Sequence, residues 1–298
     1  MHVSRNANHA VQYCITNQFV VQYLKLEIRN MKNIKLIAVD MDGTLLTDDK
    51  TITEKTKAAI HRAAEAGIKV IIATGRMFEA AVFYAEELNM NVPLICFNGG
   101  QIRECISGKV LFEKLMNPDI AQEILQYCHQ KGLHTQIYCN GNVYTDKLNE
   151  SSHWYAKIIR RPVLEIGEKL WTEKHNTYKI LAMTKTEDFA EQWLDLAKKF
   201  DGKVEITTSN TNFLEILIPG INKWDAVKNL AAQYNIKPDE IMCIGDSSND
   251  LPMVANAGVG VAMGNASEDV KKAAKIIVAD NNHDGIVEAI EHILTVRT

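Results

Sequence analysis

Lys35-Leu36-Ile37-Ala38-Val39-Asp40-Met41-Asp42-Gly43-Thr44-Leu45-Leu46 decides the fold. A buried-looking apolar run ends in two aspartates one residue apart, and a glycine turn follows. Strand side chains repeat with period two, so Asp40 and Asp42 are expected to leave the strand end on one side. Two carboxylates held together there repel unless a cation or a shared proton relieves them. A hard divalent cation such as Mg²⁺ takes carboxylate oxygens and keeps positions open for water and phosphate. The plainer alternative is a strand entering an Asp-Gly turn.

Outward from this stretch the chain alternates strand and helix. A helix is expected over about 53–66, capped by Thr53 and closed by Gly67. A strand over 68–73 ends in Thr74-Gly75-Arg76. A helix to about Asn89 and a strand over 93–97 follow, ending at Asn98-Gly99-Gly100. Near-continuous apolar strands in a βαβαβ pattern call for a parallel sheet covered on both faces. Residues 101–113 read as a hairpin around Ser107-Gly108.

The pattern then changes. Asn117-Pro118 opens a helix that Gly132 closes, and Asn140-Gly141 joins two strands as a hairpin turn. A strand at 178–183, a helix at 187–200 and strands at 203–207 and 213–218 continue a loose αββ arrangement. From 223 the βα alternation resumes to the end. The expected fold is α/β: a Rossmann-like, doubly wound parallel-sheet core (32–113 and 219–298) with an inserted α+β cap (114–218). Residues 1–31 read as an appended, disordered leader with Met31 as an alternative start. The rival reading makes Leu24–Arg29 an extra edge strand.

Composition bounds the function. The 298 residues are 46% hydrophobic, enough for two cores, and the net charge of −4 lacks the basic footprint of a nucleic-acid binder. There is no run of 18 apolar residues and no secretory signal, so no membrane partner is expected. Six cysteines without a C-x-x-C pair fit reduced thiols in a cytoplasmic protein. Oligomeric state is not legible.

Chemistry-bearing residues stand at strand ends, where open α/β sheets bind ligands. Asp40 and Asp42 follow the first strand and Thr74 the second. Lys223 opens the helix after the insertion, and Asp246 and Asp250 follow the strand at 240–244. Each type suits phosphoryl transfer, which needs in-line positioning and neutralised phosphate oxygens. A carboxylate can attack phosphorus, a second acid can protonate the leaving oxygen, and a lysine supplies a point charge.

These motifs resemble the haloacid dehalogenase superfamily phosphatases of the Cof type, which carry a large C2 cap. The resemblance rests on Asp40-Met41-Asp42-Gly43-Thr44, Thr74-Gly75-Arg76, Lys223 just after the cap, and Gly245-Asp246-Ser247-Ser248-Asn249-Asp250. Asn98-Gly99 and Asp284-Gly285-Ile286 add to it, and it covers about 32–298. It implies Asp40 as nucleophile and Mg²⁺ ligand, and Asp42 as general acid/base whose backbone carbonyl also binds Mg²⁺. Thr74 and Lys223 hold the phosphoryl group. Asp246 ligates Mg²⁺, and Asp250 buttresses Lys223 or the metal shell. Gly43, Gly75, Arg76, Asn98 and Asn249 form the substrate-binding set. The implied substrate is a small phosphorylated metabolite, foremost a sugar phosphate, with flavin mononucleotide and pyridoxal phosphate as alternatives. A non-catalytic phospholigand-binding regulator and a phosphomutase are the competing functions.

Plainer roles stand beside these. Asp250 also suits a helix N-terminus, Arg76 a surface ion pair, and Asn98 a turn. Gly258-x-Gly260-x-x-x-Gly264 lacks dinucleotide spacing. Trp154 and Trp224 are expected to fill a core or the cap interface, and His283 to lie at the surface. His134, Gln136, Tyr138 and Lys179 are the cap residues considered for leaving-group contact.

Overall fold

A computed structural model describes residues 31–89, 92–208 and 212–297. The segment 1–30, with its expected leader and its possible strand at Leu24–Arg29, lies outside the described residues. Met31, partly buried, packs against the main core.

The first part of the chain forms β1 (Leu36–Val39), α1 (Glu54–Glu65), β2 (Lys69–Ile72), α2 (Val82–Glu87) and β3 (Pro93–Cys96). A hairpin of β4 (Gln101–Glu104) and β5 (Val110–Glu113) follows. The last part adds α7 (Lys223–Gln233), β12 (Ile241–Gly245), α8 (Leu251–Asn256), β13 (Val259–Ala262), α9 (Glu268–Ala273), β14 (Ile276–Ile277) and α10 (Gly285–Arg297). Five of these strands form one parallel sheet in the order β14-β13-β12-β1-β2.

The expected βαβαβ run is modified at its third strand. β3 meets the sheet through one parallel bridge, Ala73 to Ile95, and pairs antiparallel with β4. A short 3₁₀ turn at Phe78–Ala80 replaces the first part of the helix expected after Arg76.

Both faces of the parallel sheet are covered. Ile37, Val39, Ile72 and Ile244 pack with α1 and α10. Leu36, Ala38, Ile71 and Cys243 pack with α7. This alternation is why the strands read as continuous apolar runs. Gly260 in β13 has a packing reason, since a Cβ there would lie 1.9 Å from the Val254 carbonyl oxygen of α8.

Residues between the two halves form α3 (Pro118–Gln130), β6 (His134–Cys139), β7 (Asn142–Thr145), α4 (Glu150–Ile159), β8 (Val163–Glu165), α5 (Lys169–Thr172), β9 (Ile180–Met183), α6 (Phe189–Lys199), β10 (Glu205–Thr207) and β11 (Phe213–Leu217). Their six strands make a separate sheet in the order β10-β11-β9-β6-β7-β8, antiparallel except for β7 with β8. One face packs on its own cluster around Ile124, Ile137, Ile180, Leu196 and Ile216. The other turns Tyr138, Leu181 and Phe213 toward the parallel-sheet core. Asn140 and Gly141 both have positive φ, as a type I′ hairpin turn requires.

Thr53 caps α1 by accepting from the Thr56 amide at 3.1 Å, and its hydroxyl donates to Asp284 at 2.6 Å. Replacing Thr53 with alanine is expected to cost about 1 kcal/mol, with serine retaining most of it. Urea unfolding of the three proteins checks this; equal midpoints would exclude the cap as a contributor.

Candidate active site

The strand order reverses between β1 and β12, so the crevice beyond their carboxyl ends is the switch point of the sheet. Asp40 follows β1 and Asp246 follows β12. β1 ends at Val39, although Asp40 extends the ladder by donating its amide to the Ile244 carbonyl at 3.0 Å.

Asp40 continues the face that carries Leu36 and Ala38, against which α7 packs. Lys223 is the first residue of α7 and is wholly buried. Its Nζ donates to Asp40 Oδ1 at 2.5 Å and to Asp250 Oδ1 at 2.6 Å. Asp250 is equally buried. Its second oxygen accepts from the amides of Asp246 and Ser247, both at 3.0 Å. Asp250 therefore fixes Lys223 and the turn after β12 together, beyond preceding α8 as an N-terminal acid. Burial alone would lower the Lys223 pKa, but Asp250 and Asp40 outweigh it and raise it.

Asp246 completes the cluster and accepts from the Thr44 hydroxyl at 2.8 Å. Ligand oxygens of Asp40, Asp246 and Asp250 all lie within 4.8 Å of one another. Burial, then repulsion from Asp250, pushes the Asp246 carboxyl up to about 6. The same causes raise Asp40 well above the usual carboxylate range. Three carboxylates around one ammonium leave two negative charges in excess, which a divalent cation balances. The donor set, all hard oxygen, suits Mg²⁺. Gly43 has φ +81°, and a Cβ there would lie 2.6 Å from Asp246 Oδ2, so the turn after Asp42 needs glycine.

Asp42 opens onto the same cavity as Asp40 but is held by other partners. It does not share Asp40's neighbours. Arg76 donates to it through Nε at 2.6 Å and Nη2 at 2.7 Å, and Lys50 through Nζ at 3.0 Å. Burial would raise its pKa, but the two cations overcome it and hold the carboxyl at about 2. β1 ends at Val39, and Asp42 is not among the carboxylates clustered with Asp40. The charge crowding Asp40 comes instead from β12 and its loop. Arg76, itself largely buried, pairs with the part-exposed Asp42 and lines the same cavity.

Thr74, almost wholly buried, accepts the Arg76 amide on its hydroxyl at 3.1 Å. Phe97 and Asn98 both adopt positive φ and donate their amides back to Arg76 and Thr74 carbonyls, at 3.0 Å each. Asn98 makes the turn and also accepts from Asn249 Nδ2 at 2.9 Å, tying this loop to the one after β12. Gly75 lies against the Asn98 amide.

Asp40, Asp42, Thr74, Gly75, Arg76, Asp246 and Asn249 all open onto one cavity of about 790 Å³. Its far wall comes from the antiparallel sheet and α4, with Tyr138, Trp154, Tyr155, Phe213, Lys179 and Glu215. Lys223, Gly43 and Asn98 support the site from behind or beside that lining. His134 and Gln136 are not among the lining residues. Trp154 faces the cavity and is partly exposed, while Trp224 fills the core as expected. His283 is exposed and pairs with Asp280.

Four features were not foreseen: Lys50 on Asp42, Thr44 on Asp246, Glu215 beside Lys179, and the whole of α4. The α4 signal was present. Trp154, Tyr155, Ile158 and Ile159 recur at helical spacing, and Asn149 with Ser152 forms a capping box.

Residues 37–290 match the family model for haloacid dehalogenase-like hydrolases. The chain belongs to this family. Its members among curated proteins include the 5-amino-6-(5-phospho-D-ribitylamino)uracil phosphatase YcsE of Bacillus subtilis, 32% identical, spanning 87% of this chain and 96% of the relative. Pyridoxal phosphate phosphatase YbhA of Escherichia coli is 28% identical, spanning 86% and 97%. Among solved structures, a haloacid dehalogenase-like hydrolase from Bacteroides thetaiotaomicron superposes with a TM-score of 0.81 at 30% identity, covering 87% and 99%. This haloacid dehalogenase-like hydrolase is a phosphoric monoester hydrolase.

In the metal-free hydrolase, Asp246 holds a proton between its ordinary value near 4 and about 6 that the unfolded chain lacks. Its contribution to stability is present below pH ~4 and is lost as pH rises through about 6. A cation competes with that proton. Mg²⁺ at a hundredfold its Kd is therefore expected to stabilise the fold by about 2.7 kcal/mol, and to raise the melting temperature more at about pH 7.5 than at about pH 5. Melts with Mg²⁺ and with chelator at both pH values check this; an equal gain would exclude Asp246 as the ligand. Gly43→Ala should abolish the Mg²⁺ gain by displacing Asp246.

Proposed function

We propose that this phosphatase hydrolyses small phosphorylated metabolites in the cytoplasm, using Mg²⁺ and an aspartyl-phosphate intermediate. The observation that carries the reading is the buried Lys223, shared between Asp40 and Asp250, beside Asp246 and below a roofed cavity. Residues 32–113 and 219–298 act as the catalytic core and 114–218 as the cap.

Asp40 is the nucleophile: its free oxygen attacks phosphorus while Lys223 and Asp250 fix the carboxylate. Thr74, Lys223 and the backbone around Gly75 receive the phosphoryl oxygens. Asp42 protonates the leaving oxygen and then takes a proton from water. For this it leaves Arg76 and Lys50, which hold it ionised at rest, and takes up a proton from solvent before the transfer; the proton it later takes from the attacking water restores it. Arg76, once released, is free to face substrate. Asp40, Asp246 and the Asp42 backbone carbonyl hold Mg²⁺, with Asp250 in support through Lys223 and the loop amides. When bound, Mg²⁺ supplies the positive charge that offsets phosphate and excess carboxylate.

Sugar phosphates fit the polar residues of the cavity. The aromatic wall of Tyr138, Trp154, Tyr155, Phe189 and Phe213 favours a leaving group with a planar ring. The names of YcsE and YbhA point to that chemistry in relatives.

The test is phosphate release from sugar phosphates, flavin mononucleotide, pyridoxal phosphate and an aryl phosphate, with Mg²⁺ and with chelator. Metal-dependent release is expected, lower by at least about a thousandfold in Asp40→Asn, the loss of a nucleophile rather than of one contact. Binding of phosphate esters without any turnover would favour the regulator reading. Equal release by Asp40→Asn would overturn the nucleophile assignment.

A further inference from the structure

The cavity wall contributed by the antiparallel sheet carries one buried ion pair. Lys179 immediately precedes β9, and Glu215 lies on β11. Glu215 pairs in register with Leu181, so the Lys179 and Glu215 side chains share the sheet face turned to the core. Lys179 Nζ donates to Glu215 Oε2 at 3.0 Å, and both residues are buried. The same ammonium lies 4.9 Å from the centre of the Tyr138 ring. Tyr138 shares a hydrogen bond with Tyr155, oxygen to oxygen at 2.5 Å. Burial would lower the Lys179 pKa, but Glu215 outweighs it and raises it, so the group stays charged.

A pair of this kind is a poor device for stability alone. Desolvating two charges costs several kcal/mol per ion, and a well-packed apolar pair of similar volume is often as stable or more so. Its geometry gives Lys179 a further use. A third contact crosses to the other sheet: Nζ reaches the Gly75 carbonyl oxygen at 3.4 Å. Gly75 stands between Thr74, which faces the phosphoryl site, and Arg76, which clamps Asp42. Glu215 and Lys179 belong to the same sheet, so their bond survives any movement of that sheet as a body. The contact with Gly75 does not.

Resting on the phosphatase reading, we propose that Lys179 is a positioning residue: carried by the cap, it docks on the Gly75 carbonyl and couples cap closure to the phosphate-binding loop. Glu215 orients the ammonium. The docked charge brings a cation to the loop that receives a phosphate dianion, so bound phosphate favours the docked arrangement. Once phosphate leaves, that attraction is gone and the cap is free to lift. Lys179 acts on the loop and not on the leaving group, so its effect is the same for every ester.

The test compares wild type with Lys179→Met, Lys179→Arg and the double variant Lys179→Met/Glu215→Leu. kcat and KM are measured on an aryl phosphate and on pyridoxal phosphate, and inorganic phosphate binding is measured by calorimetry with Mg²⁺. Lys179→Met is expected to lose at least about tenfold in kcat/KM, by the same factor on both esters, and to bind phosphate more weakly. Lys179→Arg should recover most of both. The double variant removes the Glu215 carboxylate together with the lysine and should remain as impaired as Lys179→Met.

Recovery in the double variant would show that the lysine only balances Glu215, and would overturn the proposal. A loss confined to one ester would do so in favour of a leaving-group contact, as would unchanged phosphate binding. Lack of turnover by wild type on all esters would count against the phosphatase reading itself. The calorimetric comparison would still decide the docking of Lys179.

Discussion

A buried ammonium with two carboxylates is the constraint around which the rest is arranged. Lys223 has no water to solvate it, so Asp40 and Asp250 must be held within hydrogen-bonding distance. Those two residues come from opposite sides of the point where strand order reverses, and Lys223 from the first turn of a helix that follows the cap. Satisfying one side chain therefore fixes β1, β12 and α7 relative to one another. Removing Lys223 leaves two buried carboxylates uncompensated. The surplus negative charge that remains, on Asp40, Asp246 and Asp250, is what suits the crevice to a cation.

The second arrangement, Arg76 and Lys50 on Asp42, works against the chemistry proposed for Asp42. A carboxyl held at about 2 is a poor proton donor near neutrality. The resting site thus holds Asp42 as a carboxylate in an ion pair. In the proposed mechanism, a phosphate ester would offer Arg76 a competing anion and so release Asp42 for proton uptake. Thr74, Gly75 and Asn98 lie between this clamp and the Asp246 loop, and Asn98 to Asn249 links them.

Much of the parallel-sheet core could be read from the chain, because β1, β2, β12 and β13 are buried along nearly their whole length and β1, β2 and β12 are each followed by a chemistry-bearing turn. Thr53, Gly67, Asn117 and the Asn140-Gly141 turn announced their elements through capping and turn chemistry that is local. What escaped was long-range. The β3 bridge, with its switch to antiparallel pairing at β4, depends on backbone geometry at Phe97 and Asn98, where two non-glycine residues take positive φ. Lys50 and Arg76 reach Asp42 across 8 and 34 residues, and Glu215 reaches Lys179 across 36. No local pattern marks such partners. α4 had a visible helical face but lies in a stretch whose other elements are only three or four residues long.

The strand order carries a consequence for synthesis. β1 pairs with β2 on one edge and with β12 on the other, and β12 lies about two hundred residues further along. At roughly 5–20 residues per second, the Leu36–Val39 edge waits about 10–40 s on the ribosome before its second partner emerges. Throughout that interval the nascent chain presents an apolar strand with an unpaired hydrogen-bonding edge, a template for mispairing. The intervening residues carry their own sheet and their own apolar cluster, so the cap can fold in the meantime and hold the two halves of the core on one compact tether.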